Sequence, residues 1–154
     1  AKGEKRMMTY ESLADGGFQT GTMMGSGGFI VLDEDQCVVR HTLTLARFYR
    51  HESCGQCSPC REGTGWMEKI LKNLEFGKGK MSDIDLLWDI QRRIEGNTIC
   101  PLGDAAAWPV AAAIRHFRDE FEYHVRFPEK IKNRDHFVAE PFEKVKHLVA
   151  KEVV

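Results

Sequence analysis

Four stretches between Val38 and His124 repeat apolar residues at the helical period, and they set the expected architecture. Val39, Leu43, Ala46 and Tyr49 fall at i, i+4, i+7 and i+10, one face of a helix that ends near His51. The second helix is read from Ser58-Pro59, a preferred cap followed by a residue tolerated at the first helical position. Trp66, Met67, Ile70, Leu71 and Leu74 give its stripe, and Gly77-Lys78-Gly79 stops it. The third opens at Ser82, with Asp83 and Asp85 complementing the dipole of the first turn. Ile84, Leu87, Ile90 and Ile94 are its buried face, and Gly96-Asn97 ends it. The fourth is read from Asp104 as its cap. Its stripe is Val110, Ile114, Phe117 and Phe121, and Pro109 lies near the start, where a missing N–H costs least.

Short connections return successive helices as antiparallel neighbours, so a mainly α fold with a four-helix bundle is expected. Ahead of it, Gly25-Ser26-Gly27-Gly28 precedes Phe29-Ile30-Val31-Leu32, read as a buried strand ended by Asp33-Glu34-Asp35. The glycines do not read as a phosphate cradle: they precede a strand rather than open a helix, and they carry no Lys. The organisation expected is an N-terminal part over 1–36, the bundle over 37–125 and a tail over 126–154. Phe142, Val145 and Leu148 or Val149 suggest a further short helix in the tail, after Pro141.

Composition changes this picture little. The chain has 154 residues, 42% hydrophobic and 29% charged, ordinary for a globular domain. A formal net charge of −1 gives no reason to expect nucleic acid as a partner. The longest apolar run, residues 105–114, contains Pro109 and is too short for a bilayer, so no direct membrane insertion is expected. No charged-then-apolar leader is read, which favours a reducing, cytosol-like compartment over a disulfide framework.

The cysteines carry the chemistry. Three of the five form Cys54-x2-Cys57-x2-Cys60, and a remote Cys100 is followed by Pro101. Two intervening residues let a tight loop turn successive sulfurs toward adjacent corners of a cubane, and a distant fourth closes it. That shape favours a [4Fe–4S] cluster over zinc, which usually takes two separated pairs. Arg50 and Arg61 flank the run, and the expected helix starts beside Cys60 and after Cys100 favour an anionic group. Cys37 stands apart from the spacing and reads as a small core residue. No His-x3-His pair occurs, and His51 reads as a neighbour of the loop rather than a ligand. Trp66, Trp88 and Trp108 read as core. No catalytic triad or paired carboxylate is evident, so no catalytic residue is assigned.

At residues 52–64, Glu-Ser-Cys-Gly-Gln-Cys-Ser-Pro-Cys-Arg-Glu-Gly-Thr, the chain resembles the NADH-binding flavoprotein (51-kDa-type) family of respiratory complex I, NADH:quinone oxidoreductase. Residues 10–14, 25–31, 98–110 and 114–118 are also similar to it, and the resemblance covers its C-terminal part. It implies Cys54, Cys57, Cys60 and Cys100 as ligands of a [4Fe–4S] cluster borne by the helical bundle. It also implies that residues 7–32 are the end of a β-grasp (soluble-ligand-binding) domain. The implied activity is electron transfer from reduced FMN to further iron–sulfur clusters. FMN and NADH would bind only in the family's N-terminal flavin domain, without which this chain should not oxidise NADH. The implied partners are that domain and the cluster-bearing subunits of the peripheral arm, at the cytoplasmic side of the inner membrane. Two alternatives stand beside it: a diaphorase subunit of a NAD-linked hydrogenase or formate dehydrogenase, and a zinc-stabilised helical interaction module.

Overall fold

The structure is a computed structural model that describes residues 29–33 and 36–132. The chain divides into two compact units, Ala1–Leu32 and Asp33–Val154. The helices described all lie in the second: α1 (Val38–Glu52), α2 (Ser58–Glu75), α3 (Met81–Ile94), α4 (Leu102–Arg126) and α5 (Pro128–Lys132). The tail helix expected after Pro141 lies outside the described residues.

The helical periods produce one core. α1 packs on α2 and α4, α3 packs on α2 and α4, and α2 also meets α4 across the middle. Val39, Leu43 and Ala46 from α1 meet Met67, Leu71 and Leu74 from α2. Ile84, Leu87, Ile90 and Ile94 from α3 join Val110, Ile114 and Phe121 from α4 in the same cluster. Each fully buried aliphatic of this kind contributes roughly 1.5–3 kcal/mol of transfer free energy.

Helix ends depart from the sequence expectations in informative ways. Ser58 is already helical, and Cys57 holds the cap position without a side-chain bond. α3 starts one residue early at Met81, with the Asp83 carboxylate accepting the Lys80 N–H at 2.8 Å. α4 starts at Leu102, so Asp104 sits inside the first turn rather than capping it, and Pro109 lies well inside the helix. Phe117 breaks the helical dihedrals (φ −133°, ψ 29°), which rotates its side chain off the buried stripe and leaves it 46% exposed. Trp66 is 52% exposed and Trp108 44% exposed, so neither is core. Trp66 sits beside Met67 at the edge of the stripe, and Trp108 reaches out to donate its Nε1–H to Glu95 at 2.8 Å.

The strand expected at Phe29 to Leu32 is not formed. These residues have no regular secondary structure, and Val31 is 91% exposed. A strand needs partner backbone, and among the described residues none is supplied; the expected β-grasp partners fall outside them.

Two glycines of α2 face opposite surroundings. A Cβ at Gly63 would meet Ile94 Cδ1 at 2.7 Å and Cγ1 at 2.8 Å, whereas at Gly65 it would find only Arg50 Nε at 3.6 Å and Cδ at 4.0 Å. Alanine gains about 1 kcal/mol of helix propensity at either position, but overpacking a buried contact costs about 1–3 kcal/mol. Ile94 is 1% exposed, and both its Cγ1 and its Cδ1 would have to shift to admit the methyl. Gly65→Ala is therefore expected to stabilise the fold and Gly63→Ala to destabilise it. Urea denaturation under anaerobic conditions reads both signs, and equal shifts in the two variants would contradict the packing argument.

Candidate metal centre

The first cysteine loop is the turn between α1 and α2. Ser53 leaves the helix in extended conformation, its N–H still donating to the Tyr49 carbonyl at 3.1 Å. Gly55 then takes φ +81°, a left-handed conformation that costs an L-residue roughly 1–2 kcal/mol. The next helix is picked up at once, with the Arg61 N–H on the Cys57 carbonyl at 2.8 Å. Arg61 folds back over the loop: Nη1 donates to the Gly55 carbonyl at 2.9 Å and Nη2 to Ser58 Oγ at 3.4 Å. Its charge braces the turn directly. Arg50, also expected to serve the loop, instead pairs with Glu68 on α2.

Within this loop Cys54 is exposed, Cys57 is half-buried and Cys60 is buried. Ser53 Oγ lies 3.2 Å from Cys60 Sγ and accepts the Gly55 N–H at 3.3 Å. Thr64 Oγ1 donates to the Cys60 carbonyl at 2.8 Å, tying down the turn that carries the buried thiol.

The second loop joins α3 to α4. Gly96 turns the chain at φ +72°, and its N–H donates to Asp104 Oδ1 at 2.7 Å. Asp104 thus braces the loop from inside the next helix, a role its expected capping function did not reveal. Thr98 Oγ1 donates to the Cys100 carbonyl at 2.9 Å. Gly103 makes room for that threonine, since a Cβ there would come within 2.6 Å of Thr98 Cγ2. Cys100 is exposed at the tip.

The two loops meet. The Ile99 N–H points at Cys57 Sγ at 3.4 Å, joining positions 42 apart in sequence. Cys54, Cys57, Cys60 and Cys100 are all free thiols, on two adjoining loops that each lead into a helix N-terminus. Cys37 is elsewhere, and His51 turns away to Glu52 at 3.1 Å. The donor set fits an iron–sulfur cluster: soft thiolates, an N–H and an O–H beside two of the sulfurs, and positive helix ends nearby. Sequence spacing found the thiols. Ser53 and the Ile99 amide had no spacing signal, because hydrogen bonds to sulfur from a neighbouring hydroxyl or a backbone amide leave no residue pattern.

Fold and site together define a helical iron–sulfur-binding domain. The chain belongs to the family described as the NADH-ubiquinone oxidoreductase-F iron-sulfur binding region, which matches residues 40–124. It is 50% identical over 126 residues to the F subunit of the NADH-quinone oxidoreductase of Rickettsia typhi, a match covering 82% of this chain and 28% of that protein. It is 46% identical over 123 residues to the mitochondrial NADH-ubiquinone oxidoreductase 51 kDa subunit of Neurospora crassa, covering 80% of this chain and 24% of that protein. The chain therefore spans about a quarter of the length of these relatives. Among solved structures it is similar to a NAD+-reducing [NiFe]-hydrogenase in the H2-reduced state. The TM-score is 0.59 and the identity 28%, over 80% of this chain and 20% of that one.

Gly55→Ala places an L-residue at φ +81° and is expected to lower stability by about 1–2 kcal/mol. It should also lower the iron retained per chain after gel filtration. A variant with unchanged denaturation midpoint and iron content would show that the turn does not depend on this conformation.

Proposed function

We propose that Cys54, Cys57, Cys60 and Cys100 hold a [4Fe–4S] cluster, and that the chain acts as an electron-transfer segment of a NADH:quinone oxidoreductase. The observation that carries this reading is the meeting of the two loops at the Ile99 amide and Cys57 sulfur, which brings the remote Cys100 segment to the three-cysteine turn. When bound, the cluster supplies a one-electron redox centre.

The chain's own residues act on that centre in three ways. The Ile99 N–H and the Ser53 hydroxyl lie against the Cys57 and Cys60 sulfurs, where donation disperses thiolate charge. The N-termini of α2 and α4 add positive potential beside the thiolates, which raises the reduction potential over that of an uncompensated site, while the Arg61 charge is offset by Glu62 at 2.9 Å. Arg61, Thr98 and Asp104 hold the loops in place, so little rearrangement accompanies a change of charge.

In this reading FMN and NADH bind in a flavin domain, and electrons pass onward to cluster-bearing subunits of a peripheral arm. Apolar side chains exposed near the loops support an interface there: Ile99 is 87% exposed, and a cavity of about 270 Å³ is lined by Pro59, Trp66 and Ile90. No helix among the described residues is long and apolar enough to cross a membrane. Relatives named as quinone or ubiquinone oxidoreductase subunits are 46–51% identical and the hydrogenase 28%, which favours the first assignment over a hydrogenase diaphorase.

Anaerobic reconstitution should give a brown chain containing about four irons, with broad visible absorption bleached by dithionite. Cys100→Ser should lose that absorption and lower the melting temperature, because metal binding is coupled to folding. About one zinc and no iron in the purified chain would overturn the assignment.

A further inference from the structure

The opposite end of the bundle holds a second group of ligand-type side chains. α1 is 15 residues long, about 22 Å, and the group lies at its start while the cysteine loop lies at its end. Cys37 precedes α1, Glu75 closes α2, and Glu120 and His124 come from the last turns of α4. Glu75 and Glu120 are each 4% exposed and His124 is 0% exposed. Burying charge is costly, and Glu75 is offset by Arg40 at 2.9 Å.

Their geometry is that of a coordination site. Cys37 Sγ lies 3.4 Å from His124 Nε2 and 3.8 Å from Glu75 Oε2. Donor atoms of Cys37, Glu120 and His124 all lie within 4.8 Å of one another. Tetrahedral zinc, with its usual bond lengths to sulfur, nitrogen and oxygen, separates its ligand atoms by about 3.4–3.6 Å. Small side-chain movements would close this set onto one ion.

The surroundings orient the ligands. His124 Nδ1 faces the Leu74 carbonyl at 3.3 Å, so the Nδ1–H tautomer donates there and directs the Nε2 lone pair toward Cys37. Glu75 is held by Arg40 at 2.9 Å, and Glu120 Oε1 accepts the Val38 N–H at 2.9 Å. Metal ligands are commonly fixed in this way by a carbonyl, a cation or a backbone amide.

We propose that Cys37, Glu120 and His124 form a site for one zinc-type divalent ion, clasping the start of α1 to the last turns of α4 beside Glu75. The donor set mixes sulfur, nitrogen and oxygen, which suits zinc better than magnesium or calcium. Three protein ligands leave the fourth tetrahedral position to water or to the Glu75 carboxylate, whose Oε2 lies 3.8 Å from Cys37 Sγ and from His124 Nδ1. Binding converts the Cys37 thiol to a thiolate and releases its proton to solvent. The site is independent of the cysteine loops.

The test uses the full chain with its iron reconstituted, stripped of other metals and titrated with Zn2+ against a chromophoric chelator under anaerobic conditions. About one zinc should bind per chain with iron content unchanged. Cys37→Ser and His124→Gln should each weaken zinc binding by at least about 100-fold while keeping iron and helical content. Should His124→Gln fail to fold, Cys37→Ser decides. The proposal is overturned if no zinc binds, if zinc enters only by displacing iron, or if the folded variant binds zinc as the parent does. That last result leaves a thiol–imidazole hydrogen bond as the explanation of the contact. Iron content reports separately on the cysteine loops, so either assignment can fail alone.

Discussion

The approach of α2 to α3 at Gly63 governs the rest of the structure. With no Cβ at that position, Ile94 packs against the α2 backbone. Gly63 lies one turn beyond Cys60, and Ile94 is the last helical residue before the loop that carries Cys100. The contact therefore sets the height and separation of both cysteine loops. A wider spacing would part the Ile99 amide from Cys57 and break the bond that joins the loops across 42 positions of sequence.

Given that spacing, each loop is secured by a residue of the helix that follows it. Arg61 reaches back from α2 to the Gly55 carbonyl, and Asp104 reaches back from α4 to the Gly96 amide. The two braces are opposite in charge and alike in geometry. Each uses an ionised side chain to satisfy a backbone group at a left-handed glycine. Bonds to charged groups are worth roughly 1.5–3 kcal/mol, about twice a neutral one. Even discounted for exposure, two of them can hold short turns that have little apolar surface of their own.

Much of this was legible in the chain. The helical period named the buried apolar residues of α1 and α3, most of those of α2, and Val110, Ile114 and Phe121 of α4, because burial on one face leaves a periodic trace. Cys54, Cys57 and Cys60 were legible for a similar reason, since a tight loop imposes local spacing, whereas the remote Cys100 was marked by the Pro101 that follows it. What escaped was non-local. Phe117 matches the stripe in sequence and leaves it through one pair of dihedrals. Ser58 and Asp104 have capping chemistry, but the helices begin earlier and Asp104 bonds across to Gly96. Cys37 and His124 lie 87 positions apart, and no spacing rule joins them. The short apolar run at Phe29 to Leu32 had strand composition, yet composition cannot supply the neighbouring backbone a strand requires.

One contact bears on how the domain is assembled. The first amide of α1 is satisfied by Glu120 of α4, 82 positions later. An orphan N–H at a helix start normally finds a local cap, and the Cys37 side chain provides none here. During synthesis α1 therefore emerges with its leading end unfinished and must wait for nearly the whole domain before that end is closed. Long-range closure of this kind raises contact order and slows folding relative to a bundle with self-sufficient helices. The nascent chain thus passes through an interval in which the cysteine turn after α1 has been made but the helix leading into it is still frayed.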